Sequence, residues 1–202
     1  MSAEALYSRL ADSYDVTLTL AGYKMAVEYF IKNIPFETSR AIQILDAGCG
    51  TGFYSLALLR RFPNSRIVAF DLNREMIEKL KEKISKKRIA NRIDVFRADM
   101  IEPLPLEAGQ FDLIVTAGVL EYVRIQEAVR NLRHYLKGGA YWINSPIVSN
   151  LFGKIVGKMY KLRPYSRHKN IDVFRSNGFS LLNIANFLTL KEAHLFQKVR
   201  QD

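Results

Sequence analysis

One cysteine, Cys49, stands among 202 residues. The chain therefore closes no disulfide within itself and builds no multi-cysteine zinc site. Nowhere do about 18 apolar residues run together, the length a helix needs to span a bilayer. The opening MSAEALYSRLADSYD carries three acids and no long apolar run, unlike a secretory leader. The expectation is a cytoplasmic protein with no integral membrane segment. Acid is scarce: 20 Asp and Glu against 30 Lys and Arg leave a net charge of +10, and no acid occurs between Leu136 and Asp172. That excess favours anionic partners, whether nucleic acid, lipid headgroups or an acidic substrate, and charge alone does not choose among them. No linker or low-complexity stretch divides the chain, and 49% hydrophobic residues suffice for one core, so a single domain over 1–202 is expected.

The most informative stretch is Ile42 to Phe53, IQILDAGCGTGF. An apolar run ending in an acid and a glycine-rich turn reads as a buried parallel strand that delivers its carboxyl end to a ligand. Gly48, Gly50 and Gly52 remove Cβ atoms where a small molecule must approach backbone, and they permit positive φ. The apolar spacing of FYSLALLRRF then predicts a helix over 52–62. A dinucleotide fingerprint would put its third glycine at Phe53, where none stands, which argues against a nicotinamide oxidoreductase. Asp46, just ahead of the loop, would repel a pyrophosphate and suits a cationic group. Cys49 inside the loop reads as a small packing residue; a catalytic thiol is the weaker alternative, since no histidine lies nearby in sequence to activate it.

Further along, Arg66–Phe70 reads as a second strand closed by Asp71, about twenty residues past the loop, where doubly wound folds set a carboxylate against ribose hydroxyls. The competing and compatible reading makes Asp71 the N-cap of a helix over 73–88. Arg92–Arg97 reads as a third strand, followed by Asp99 and Met100. Phe111–Thr116 reads as a central strand. A helix over 124–136 carries His134 as a surface residue near its C-terminal end. Residues 2–15 read as a short helix bearing Tyr7, Leu10 and Tyr14 at helical spacing, and 21–34 as a second helix ending before Pro35. The stretch LFGKIVGKMYKL, 151–162, places apolar residues on one half of a helical wheel and Lys154, Lys158 and Lys161 on the other. It reads either as a helix laid on the sheet with solvated lysines, or as a substrate cap or membrane-surface helix. A helix near 171–178 closed by Gly178 and two final apolar strands complete the chain, with His194 alternating inside the last as a structural residue.

Asp46-Ala-Gly-Cys-Gly-Thr-Gly52 resembles the D-x-G-x-G-x-G signature of the class I S-adenosylmethionine-dependent methyltransferases, and the strand-end acids, the Leu136-Lys-Gly-Gly139 turn before AYWINSP and the Gly178-Phe179 entry to the last strand pair extend the likeness over nearly the whole chain. The resemblance implies an α/β fold: a doubly wound, seven-stranded, mostly parallel sheet in the order 3-2-1-4-5-7-6, with a C-terminal antiparallel pair and helices on both faces. Cap helices are expected over 1–36, and residues 147–170, where the pattern changes, read as a basic amphipathic insertion near the acceptor site. S-adenosylmethionine as cofactor, with S-adenosylhomocysteine as product, would be held by Asp46, Ala47, Gly48, Cys49, Gly50, Gly52, Asp71, Leu72, Asp99, Met100, Thr116 and Ala117. Tyr14 with Asp15 resembles the element that closes over the methionine end. Leu120-Glu121-Tyr122 matches the acceptor segment, giving Glu121, Tyr14 and Tyr122 as candidate catalytic residues, with no metal. The Asn/Asp-Pro-Pro-aromatic motif of adenine and glutamine amide methylation is absent. The implied function is methyl transfer to a small-molecule or lipid-like acceptor, at oxygen or nitrogen ahead of carbon. An RNA methyltransferase and a non-catalytic cofactor-binding protein are the alternatives, with residues 154–169 offering a basic face to anionic membrane or nucleic acid.

Overall fold

The computed structural model describes residues 23–187 and 191–200. The helix expected over 2–15, and Tyr14 with it, lies outside them. The chain divides into two compact units, 1–98 and 99–202.

In the first unit, helix α1 (Tyr23–Lys32) precedes β1 (Gln43–Ala47), α2 (Phe53–Arg61), β2 (Arg66–Asp71), α3 (Arg74–Lys86) and β3 (Ile93–Arg97). The three strands are parallel, with Ala47 beside Phe70 and Asp71 beside Arg97 at their carboxyl ends. Continuous apolar runs make such strands because both faces are covered; Ile44, Leu45, Ile67, Ala69 and Phe70 are all buried. Helix α3 buries Met76, Ile77, Leu80 and Ile84, the face its spacing predicts. Its Glu82–Lys86 and Glu78–Lys81 pairs stay exposed. The helix is capped by Asn73, whose side chain accepts from the N–H groups of Glu75 and Met76. The N-cap reading of Asp71 is therefore corrected: Asn73 stands one residue ahead of the helix, and Asp71 is too early to reach those amides.

In the second unit, β4 (Phe111–Ala117), α4 (Ile125–Leu132), β5 (Leu136–Ser145), α5 (Leu151–Tyr160), α6 (Arg167–Ser176), β6 (Phe179–Phe187) and β7 (Lys191–Lys198) follow in order. Strands β4 and β5 are parallel, and β7 runs antiparallel to both β5 and β6. The hydrogen-bonded strand order is β3-β2-β1-β4-β5-β7-β6, the expected one. The core of this unit is aromatic: Trp142 meets Phe174 and Phe179 edge-on, and Phe174 stacks on Phe196 with centroids 4.1 Å apart.

Two boundaries differ from the sequence reading. The helix expected over 124–136 ends at Leu132 and gives way to a 3-10 turn, Arg133–Tyr135, because Tyr135 turns inward and its hydroxyl accepts the Leu104 N–H at 2.8 Å. Leu136–Gly139, expected as a turn, belongs to β5: Leu136 already pairs with Phe111, and a register shift between Phe111 and Leu113 absorbs the extra residues. Gly139 takes the positive φ of 75° this irregularity needs. Helix α6 also starts earlier than its apolar pattern suggests, since the Ser166 side chain caps it at the Lys169 N–H.

Candidate functional site

The first unit converges on the loop after β1. Gly48, Gly50 and Gly52 all have positive φ, 74°, 52° and 82°, a region costing other residues roughly 1–2 kcal/mol. The loop is tied to the end of β2: the N–H groups of Gly48 and Cys49 both donate to the Phe70 carbonyl, at 2.8 and 2.9 Å. The Gly50 N–H donates to Asp71 Oδ2 at 2.8 Å, while Asp71 Oδ1 accepts the Asn73 N–H at 2.9 Å. Asp71 thus joins the crown of the loop to the entry of α3 and stays half-buried. Among the described residues, a Cβ placed on Gly50 would meet nothing within 4 Å. Leu72, the next residue, is exposed.

Asp46 lies beneath this loop rather than on it. It is 2% exposed, and its Oδ2 accepts the Ser55 hydroxyl of α2 at 2.6 Å. Burial, helped by the nearby Asp71 charge and opposed by Ser55, pushes its pKa up from 3.8 to about 6. Ala47 is fully buried beside it. Burial also drives the Cys49 thiol well above its ordinary range, with the Asp46 and Asp71 charges adding to the effect. A thiol held protonated is a poor nucleophile, which supports the packing reading of Cys49.

In the second unit, Asp99 is half-buried and its Oδ1 accepts the Ile101 N–H at 3.1 Å; Met100 is buried, and its carbonyl accepts from Asn131 Nδ2 at 2.8 Å. Thr116 and Ala117 end β4. The Thr116 hydroxyl accepts from Trp142 Nε1 and donates to Asn144 Oδ1, whose amide donates on to Asn170 Oδ1. Glu121 follows in a 3-10 turn and is buried. Its Oε1 accepts the Ile147 N–H at 2.6 Å and its backbone carbonyl accepts the Arg163 N–H at 3.0 Å. Oε2 has no hydrogen-bond partner among the described residues. Burial raises the Glu121 pKa, opposed by the Ile147 N–H and by the charge of Lys191. Tyr122 is 41% exposed.

Sequence reasoning missed a polar chain in this unit. Glu192 on β7 holds the Arg167 guanidinium of α6 in a two-pronged pair and contacts His194 Nε2 at 2.7 Å. Burial alone would raise the Glu192 pKa, yet Arg167 and His194 hold it below the usual range. Burial lowers the His194 pKa, against the pull of Glu192. Arg167 reaches on to Asn186 Oδ1 at 3.1 Å. The one local signal was Glu192-x-His194, two polar residues on the same face of an apolar strand. Lys191 is buried, and a Cβ on Gly118 would stand 3.3 Å from its Nζ.

Residues 44–139 match the family described as a methyltransferase domain. The chain is 28% identical over 180 residues to a malonyl-[acyl-carrier protein] O-methyltransferase of Herminiimonas arsenicoxydans, covering 86% of this chain and 64% of that one. It is 27% identical over 146 residues to a chloroplastic 2-methyl-6-phytyl-1,4-hydroquinone methyltransferase of Oryza sativa subsp. japonica, covering 71% and 42%. In both cases the chain spans less than two thirds of the curated relative's length. Among solved structures, it superposes on a geranyl diphosphate C-methyltransferase from Streptomyces coelicolor A3(2), crystallised with S-adenosyl-L-homocysteine, with a TM-score of 0.76 and 14% identity over 87% of this chain and 80% of that one. That likeness speaks to the fold.

Proposed function

As a member of the class I S-adenosylmethionine-dependent methyltransferases, this chain, we propose, moves a methyl group from S-adenosylmethionine to a small-molecule or lipid-like acceptor, at oxygen or nitrogen ahead of carbon. The observation that carries the reading is the loop after β1: three positive-φ glycines, a crown at Gly50 that no other described residue crowds, and the Asp71 carboxylate bonded to that crown. These residues fit the cofactor. A carboxylate is acceptor-only at both oxygens, which suits Asp71 to ribose hydroxyls beside the loop it braces. Asp46, Ala47, Gly48, Cys49, Gly50, Gly52 and Leu72 are assigned to the same ligand, Asp46 from beneath through Ser55. In the second unit Asp99, Met100, Thr116 and Ala117 are assigned by their place in the family pattern, with Thr116 contributing backbone, since its hydroxyl is engaged by Trp142 and Asn144.

The cofactor brings a sulfonium-activated methyl, so the protein's part is to orient the acceptor and exclude water. Glu121, Tyr122 and Tyr14 are the proposed acceptor-side residues. For Glu121 the geometry favours positioning ahead of proton abstraction: Oε1 and the backbone carbonyl fix segment 120–123 to residues 147 and 163. The malonyl and phytyl-hydroquinone names of the relatives motivate carboxylate and phenol acceptors as first candidates. Transfer of labelled methyl from S-adenosylmethionine to a panel of free carboxylates, acyl thioester carboxylates and phenols tests the proposal. Turnover on one class supports it, and cofactor binding without transfer to any of them returns the chain to a non-catalytic binder. Glu121→Gln refines it. Activity retained with an unchanged pH profile supports positioning, because Gln still accepts from the Ile147 N–H; loss of kcat in a folded variant supports the base role.

A further inference from the structure

Helix α5 leaves two residues of its apolar stripe, Leu151 and Ile155, exposed. Its Gly153 and Gly157, one turn apart, are buried. A Cβ on Gly153 would collide with the Val148 carbonyl, and one on Gly157 would stand 2.9 Å from Pro164 Cδ. The helix therefore packs by its backbone against the segments that enter and leave it. Asn150 caps it by accepting the Gly153 N–H at 2.8 Å, and Lys161 ends it in the left-handed conformation, φ 55°. Glu121 clamps both stems, one with its side chain at Ile147 and one with its carbonyl at Arg163.

Away from the two glycines, the described side chains of the helix point outward. Leu151 is 72% exposed and Ile155 50% exposed, one turn apart. Lys154 and Lys158 flank them and Lys161 follows, all exposed. Arg163 and Lys169 extend the charge, and no acid lies between Leu136 and Asp172 to balance it. The Glu121 carboxylate is buried and accepts the Ile147 N–H, so it presents no exposed charge. Exposed lysines suit any polyanion. Protruding aliphatic side chains gain free energy only from an apolar phase, and they offer bases nothing to stack on.

We propose that α5 docks on an anionic bilayer surface, with Leu151 and Ile155 entering the headgroup boundary and Lys154 and Lys158 meeting lipid phosphates. This goes beyond the methyl-transfer reading and does not depend on it. Vesicle co-sedimentation of the full chain tests it, using equal phosphatidylcholine and phosphatidylglycerol against phosphatidylcholine alone. Three forms are compared: wild type, Lys154→Gln/Lys158→Gln and Leu151→Ser/Ile155→Ser, each checked for an unchanged circular dichroism spectrum. The expected result is binding to the anionic vesicles only, lowered on the order of tenfold by either pair of substitutions. No binding by wild type overturns the proposal, as does binding by both variants that is undiminished from wild type. Binding lost with the lysines but untouched by the Leu151/Ile155 pair, and matched on a single-stranded RNA probe, also overturns it and reassigns the face to nucleic acid.

Discussion

The loop after β1 and the polar chain of the second unit are built by opposite means. In the loop, seven consecutive residues, Asp46 to Gly52, make the geometry, and the working groups are backbone amides held by Phe70 and Asp71. In the second unit, side chains from β4, β5, α6 and β7 make the geometry. They run from Trp142 through Thr116 and Asn144 to Asn170, and separately from Arg167 through Glu192 to His194. A contiguous backbone device depends on conformation and should fail sharply when a side chain is added. A dispersed side-chain device depends on pairing and should fail when one partner is removed.

The sharpest break belongs to the loop. Gly52 combines φ 82° with a position where a Cβ would overlap the buried Leu80. Gly52→Val is expected to lose about 4 kcal/mol of stability, from left-handed strain and overpacking together, read by urea unfolding. Gly50→Ala sharpens the contrast: with no other described residue within 4 Å of the added Cβ, only the strain of about 1–2 kcal/mol remains.

Next is Asp46. Its folded pKa of about 6 lies above the ordinary 3.8, so the native state binds the proton more tightly than the unfolded chain. Its contribution is therefore most favourable below the unfolded pKa and is lost as pH rises through about 6. Relative to Asp46→Asn, wild type should gain up to about 3 kcal/mol as pH falls from neutral to about 4. Urea unfolding of both proteins across that range measures it, and parallel pH curves would refute the buried, ionised Asp46.

Glu192→Ala tests the dispersed device. It strands the buried His194 and releases Arg167, and should cost about 2 kcal/mol, less than a fully buried pair because Arg167 is half-exposed. At the small end, Lys86→Ala on the surface of α3 removes an exposed i,i+4 pair and should change stability by about 0.5 kcal/mol or less.

The same contrast governs what could be read in the sequence. Glycines at every second position after an apolar strand and an acid are visible because the cause of the loop is local. The strands and the apolar face of α3 are visible for the same reason, through continuous runs and through the Met76, Leu80, Ile84 spacing. Arg167 and Glu192 are 25 residues apart, and Thr116 and Asn144 are 28 apart; no local pattern announces such pairs. The backbone packing of α5 escaped for a related reason. Periodicity assigns an apolar face to the core, but the close approaches at Gly153 and Gly157 depend on Val148 and Pro164, outside the helix. Tyr135 likewise ended its helix early through a contact with Leu104, 31 residues away.

The central claim is that the loop braced by Asp71 holds S-adenosylmethionine. Calorimetric titration of wild type and Asp71→Ala with S-adenosylmethionine and S-adenosylhomocysteine, with NADH as control, tests it most directly. The account predicts that wild type binds the first two and not NADH, and that Asp71→Ala weakens both by at least about tenfold, the loss of charge-assisted hydrogen bonds. No binding by folded wild type, binding of NADH alone, or an Asp71→Ala variant that binds as tightly as wild type would contradict it.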